Sequence, residues 1–194
     1  MANLPRDVQQ ALKRQAPKVL KRDFEKDFKK RFDDLKKDMI KEFLSNPVTI
    51  EISSGPTSTN ISGTLGGKSN LFAFIGFNSG EDPIKPILEI LESINFKNNG
   101  NSKKGIGIEY SVDIPSPDAI FAVTPMPWAT GRSWARGIET GISGLGYLLN
   151  KSSGKSRSGV AIQTSKPVRR GGFKNVPYIS ALIRKYEKKF KQLS

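Results

Sequence analysis

Apolar residues recur at spacings of 4, 4, 3, 4 and 4 through Phe24, Phe28, Phe32, Leu35, Met39 and Phe43, the repeat of one face of an α-helix. The positions between them are dense in charge, with Asp23, Asp27 and Asp34 among many lysines. Residues 6–44 read as helical. Pro17 interrupts the pattern, and its fixed φ suits a first helical turn, so a second, longer helix is expected to start there. Asn46-Pro47 stops that helix. A single phenylalanine stripe on a charged rod needs a covering surface, either the sheet of its own chain or a neighbouring subunit. The stripe is too short to specify a coiled coil.

The pattern then shortens. Val48 to Ile52 alternates and is β-branched, which predicts a strand. A loop rich in Ser, Gly, Thr and Asn follows over 53–70. Leu71 to Phe77 reads as a second strand, with Gly76 a bulge position. Asp82-Pro83 is an N-cap followed by proline at the first helical position, and Ile84, Ile87, Leu88, Leu91 and Ile94 make a short amphipathic helix. Asn98-Asn99-Gly100-Asn101 predicts a turn. Gly105–Ile114 and Ala119–Val123 read as strands joined by a Pro-Ser-Pro turn. Met126–Asn150 holds Trp128, Trp134 and glycines at 137, 141, 144 and 146, which weaken both helix and strand. Irregular structure with short pieces is expected there. Residues 151–158 read as a flexible loop and Gly159–Thr164 as a strand. After Pro177, the residues Ile179, Leu182, Ile183, Tyr186 and Phe190 make a final amphipathic helix whose outer face is Arg184, Lys185, Lys188, Lys189 and Lys191. This order predicts an α+β fold: a mainly antiparallel sheet packed by a long N-terminal helix, a short middle helix and a C-terminal amphipathic helix. It divides the chain into a charged helical arm, 1–46, and a core domain, 47–194, with a basic C-terminal segment, 151–194.

Composition narrows the chemistry. Among 194 residues there is no cysteine and no histidine, which removes thiolate sites, the commonest general base and the commonest transition-metal ligand. A carboxylate-only site survives that filter. The carboxylates of the middle region are Glu51, Glu81, Asp82, Glu89, Glu92, Glu109, Asp113, Asp118 and Glu139, and they lack the close grouping of a metal loop. Glu139 is expected in a salt bridge to Arg132 or Arg136. Gly63-Thr64-Leu65-Gly66-Gly67-Lys68-Ser69 resembles a phosphate-binding loop, but its first glycine is one residue too close to the Gly-Lys-Ser. The strand expected after it would also supply no helix N-terminus for a phosphate. No catalytic residue, cofactor or metal is therefore expected, and the protein reads as a non-enzyme. No stretch approaches the roughly 18 apolar residues of a membrane span, and the first residues lack the apolar core of a signal peptide. A cytosolic origin is expected.

Charge adds a direction. The net charge is +14, unevenly placed. Residues 1–44 carry 13 Lys/Arg against 8 Asp/Glu, residues 45–150 carry 7 against 9, and residues 151–194 carry 12 against 1. These segments are +5, −2 and +11. The last predicts contact with nucleic acid or with an acidic protein surface. Lys155, Arg157, Arg169, Arg170 and Lys174 are the candidate DNA or partner contacts, the last three within a run that adds Phe173 and two glycines. Phe24, Phe28 and Phe32 are the candidates for helix packing or a subunit interface.

Across roughly residues 20–190 the layout resembles the neck and tail-completion proteins of long-tailed bacteriophages. The likeness rests on the long charged helix, Gly63-Thr64-Leu65 before Leu71-Phe72-Ala73-Phe74-Ile75, Ala135-Arg136-Gly137-Ile138-Glu139-Thr140-Gly141, and Pro177-Tyr178-Ile179 opening the last helix. The resemblance implies a structural virion protein without an enzymatic site, made in the host cytoplasm. Such a protein forms a homo-oligomeric ring in the head–tail connector, between portal or adaptor and tail proteins, with DNA passing through. The alternative is a free-standing nucleic-acid-binding protein that uses its basic C-terminal segment.

Overall fold

The computed structural model describes residues 5–67, 69–101, 108–142, 147–150, 162–167 and 173–193; side chains are described from residue 22 on, except in 101 and in 147–167. Among them are seven α-helices and three two-stranded antiparallel ribbons, an α+β fold. The helices are α1 (Arg6–Ser45), α2 (Pro47–Ser53), α3 (Leu71–Ile75), α4 (Lys85–Ser93), α5 (Pro117–Ala122), α6 (Trp134–Thr140) and α7 (Ile179–Lys191). The ribbons pair β1 (Asn95–Asn101) with β2 (Ile108–Asp113), β3 (Pro125–Met126) with β4 (Ala129–Ser133), and β5 (Tyr147–Asn150) with β6 (Ile162–Pro167).

Helix α1 runs without a break through Pro17, where a new helix was expected, and at 40 residues is about 60 Å long. Its stripe is the spine of the core. Phe28, Phe32, Met39 and Phe43 are buried. Phe28 stacks on Tyr110 of β2, with centroids 4.0 Å apart and planes at 12°, and meets Phe96 of β1 edge-on. Phe32 touches Phe96 and Phe190. Phe43 lies against Tyr178, so α7 runs antiparallel to α1, its C-terminal end beside Phe32. Lys36 donates to the carbonyls of Glu92 and Ile94, tying the end of α4 to the same helix.

Polar contacts also join α1 to α7. Glu42 accepts from both the Lys185 ammonium, at 2.7 Å, and the Tyr186 hydroxyl, at 2.9 Å. The Lys185 hydrogen bond holds the Glu42 carboxyl below its ordinary range; burial pushes the other way and the Tyr186 bond adds to the lowering. A lowered carboxyl contributes stability above the ordinary carboxylate range, and that contribution is lost as pH falls through it. Both partners are about half exposed, so solvent screening keeps the pair to at most about 1 kcal/mol.

Three predicted strands are helices. At 48–52 the alternating pattern would bury every second residue, but the chain buries Val48, Thr49, Glu51 and Ile52 and exposes Ile50. Asn46-Pro47, read only as a stop, is also a start: the Asn46 side chain accepts from the Val48 N–H and Pro47 opens α2. Leu71–Phe77 begins as α3, capped by Asn70 through the Ala73 N–H, and Gly76 is its left-handed C-cap at φ 94° rather than a bulge. Ala119–Val123 falls largely in α5, where Ser116 accepts from the Ala119 N–H and Pro117 follows. The expected turn at 98–101 belongs to β1, which carries a bulge between Asn98 and Gly100, the latter at φ 91°. The middle helix forms as α4, with Ile87 and Leu91 buried along it and Ile84 and Ile94 buried at its two caps; Ile84, not Asp82, is the N-cap residue, and Pro86, not Pro83, lies in the first turn. In the ambiguous 126–150 stretch Ser133 caps α6 through the Arg136 N–H. Gly137 is needed there because a Cβ would lie 2.8 Å from Ile142 Cγ1. The predicted strand at 159–164 is β6, shifted to Ile162–Pro167. The loop predicted at 151–158 lies outside the described residues.

The aromatic cluster around Phe28 is therefore the outer edge of the core. Phe28→Ala is expected to destabilise the chain by about 3 kcal/mol in urea unfolding. Phe24→Ala, at a ring 55% exposed, should change it by less than about 0.5 kcal/mol. Equal effects would show that the two rings share one environment.

Candidate functional site

The candidate interface residues separate sharply. Phe28 and Phe32 are buried within the chain, whereas Phe24, one turn before Phe28, is exposed. All side chains from Arg22 to Asp27 are exposed. The stripe is thus covered by its own chain from Phe28 onward and uncovered over 22–27. Near the other end of α1, Ile40, Leu44, Lys37 and Lys41 line a shallow groove, with Leu44 exposed.

Of the basic candidates, Lys155, Arg157, Arg169 and Arg170 lie outside the described residues. Lys174 is exposed, and its backbone is fixed: its N–H donates to the Thr64 carbonyl at 3.1 Å. Phe173 stacks on Phe74 with centroids 5.9 Å apart, so it is half-buried against α3 and not free to stack on a base. The Val176 N–H donates to the Ile138 carbonyl, and Tyr178 is buried with its hydroxyl 3.0 Å from Thr49 Oγ1. Burial pushes the Tyr178 phenol well above its ordinary pKa. The basic segment therefore enters α7 through a chain stretch pinned at several points.

The phosphate-loop look-alike has an internal explanation. A helix, α3, and not the expected strand, follows it. Its N-terminus is already occupied. Glu51, fully buried in α2, accepts from the Leu71 N–H at 2.7 Å, the Ser62 N–H at 2.7 Å and the Asn60 side-chain amide at 3.0 Å. Asn60 turns its carbonyl to the N–H groups of Leu65 and Gly67. The Glu51 carboxyl group thus takes the N–H groups that flank the loop, at Ser62 and Leu71, while Asn60 takes those of Leu65 and Gly67 within it. Neither residue stood out in sequence. The only trace was Glu51 interrupting an apolar run.

Other carboxylates have structural partners too. Glu139 does not take up its predicted role beside Arg136, which pairs with Asp118 and lies over the Phe121 ring at 4.9 Å. Glu139 instead accepts from the Ser180 N–H and hydroxyl, both at 2.6 Å, at the start of α7. That position suits an anion. Asp82 accepts from the N–H groups of Ile84 and Lys85 at the start of α4. Among the described residues no three carboxylates converge on a point that could hold a metal ion. Among them, too, no helix is long and apolar enough to cross a membrane.

No protein-family model matches this chain, and no curated protein or solved structure matches it either.

Glu51 links α2, the 54–70 loop and α3 by hydrogen bonds from the Ser62 and Leu71 N–H groups and the Asn60 amide. Glu51→Ala should cost about 3 kcal/mol or more in urea unfolding, since each buried donor left unpaired costs about 1–3 kcal/mol. Glu51→Gln should also destabilise, because its amide would turn a donor toward donors. A loss below about 1 kcal/mol for the alanine variant would contradict this role.

Proposed function

We propose that this chain is a structural subunit of the head–tail connector of a tailed bacteriophage, a neck or tail-completion protein acting through subunit and partner interfaces rather than by catalysis. The observation that carries the reading is the division of α1. The helix is anchored in the core from Phe28 to Phe43, while the segment before it continues as helix with a large aromatic ring left in solvent. Burying a phenylalanine side chain is worth roughly 1.5–3 kcal/mol, so an exposed ring on an extended helix favours association. A helix that leaves its core also suits a ring, where each subunit reaches its neighbour by a repeated rotation. The order of motifs along the chain, from the charged helix to Pro177-Tyr178-Ile179, supports the phage assignment. The binding partners on this reading are further copies of the chain, the portal or adaptor on one side and tail proteins on the other.

Native mass spectrometry of the full chain tests it. A closed oligomer with an integer multiple of the subunit mass is expected, and Phe24→Asp should reduce it to monomers of unchanged circular dichroism. A chain that stays monomeric both alone and with purified portal and tail proteins would overturn the proposal.

A further inference from the structure

Helix α7 has two faces of different chemistry. Ile179, Leu182, Ile183, Tyr186 and Phe190 are buried in the core. The outward face holds Ala181, Arg184, Lys185, Lys188 and Lys191, all exposed, with Lys189 half-buried beside them. Two of these cations have internal partners: Lys185 binds Glu42, and Lys191 binds Glu187. Lys189 lies over the Tyr186 ring, 4.6 Å from its centroid. Arg184 and Lys188, one helical turn apart, are in no ion pair among the described residues. The helix dipole favours cations in the last turn and so accounts for part of the charge there, but Arg184 lies beyond its reach.

We infer that this face of α7, centred on Arg184 and Lys188, is a sequence-independent binding surface for the phosphate backbone of duplex DNA. The composition of the face selects the partner. A protein partner is normally held by a desolvated apolar or aromatic centre with charges at the rim, and this face carries no side chain more apolar than Ala181. Single-stranded nucleic acid is normally held by aromatic rings on which bases stack, and the aromatics of α7 are buried in the core. What remains is a row of cations on a rigid helix about 20 Å long, enough to contact several phosphates of one duplex. The core fixes the row, because Glu139 caps the start of α7, Glu42 holds its middle and Phe190 packs on Phe32. The inference deepens the connector reading and rests on it for the biological setting, a subunit past which genomic DNA travels.

The test uses the full chain and a fluorescently labelled random-sequence duplex, with anisotropy read across a salt series. Arg184→Gln with Lys188→Gln should weaken binding about tenfold near physiological salt and flatten the log–log salt slope by about 1.8, the loss of two phosphate contacts. The charge-retaining pair Arg184→Lys with Lys188→Arg should bind like the parent. Lys37→Gln with Lys41→Gln, the same change in net charge on exposed residues of α1, should leave binding within about twofold. Equal weakening by both glutamine pairs would mean that only net charge matters and would overturn the site. Unchanged binding in the α7 pair would overturn it as well. Loss of polyglutamate binding with duplex binding intact would reassign the face to an acidic protein. Native mass is read on the same samples, so a failure of the oligomer is distinguished from a failure of the DNA site.

Discussion

Among the described residues, the stack of Phe28 on Tyr110 marks where the chain's own cover of α1 begins. From that ring onward the helix is a wall of the core, covered by the β1–β2 ribbon, α4, α2 and α7. Before it the helix has no described side chain in the core. The antiparallel pairing with α7 depends on the same stretch, since Phe32 meets Phe190 at one end and Phe43 meets Tyr178 at the other. Chain geometry then places the cationic face of α7 outward, because its apolar face is committed to α1. Both candidate surfaces, the exposed 22–27 segment of α1 and the outer face of α7, thus follow from one packing arrangement.

A second constraint is internal and electrostatic. The connection between α2 and α3 has little apolar surface of its own, and a buried carboxylate organises it instead. Backbone amides and one asparagine satisfy Glu51, with no cation on it among the described residues. The glycines around it allow a tight wrap, with Gly63, Gly66 and Gly67 at positive φ. Such a loop resembles a phosphate cradle in sequence because both turn backbone amides onto a central oxygen acceptor. Here the acceptors are side chains of the protein, Asn60 within the loop and Glu51 at its flanks.

The features legible in sequence were those set by a long period or by strong local chemistry. The stripe from Phe28 to Phe43, the α4 face and the α7 face were read correctly because each repeats over at least two turns. Short segments were not. Val48–Ile52, Leu71–Ile75 and Ala119–Val123 are β-branched or apolar runs of about five residues, too short for periodicity to separate strand from buried helix. The decisive information lay just before them, in Asn46-Pro47, Asn70 and Ser116-Pro117. The same cap-then-proline signature at Asp82-Pro83 marks the helix two residues early, since α4 starts at Lys85 after Ile84, and the longer amphipathic pattern is what made that helix legible. Of the site residues, Phe28 and Phe32 were legible as buried, while the separation of Phe24 from them depended on where the β1–β2 ribbon ends its cover. Glu51 and Asn60 were not legible, because their role is created by a loop that returns to them.

The central claim is that residues 22–27 of α1 are left open in the single chain and become covered on assembly. Amide hydrogen exchange of residues 22–27, compared between the isolated chain and the assembled particle, tests this most directly. The account predicts fast exchange there in the isolated chain against strong protection at 28–43, with protection extending over 22–27 in the assembly. Equal exchange at 22–27 in both states would contradict it.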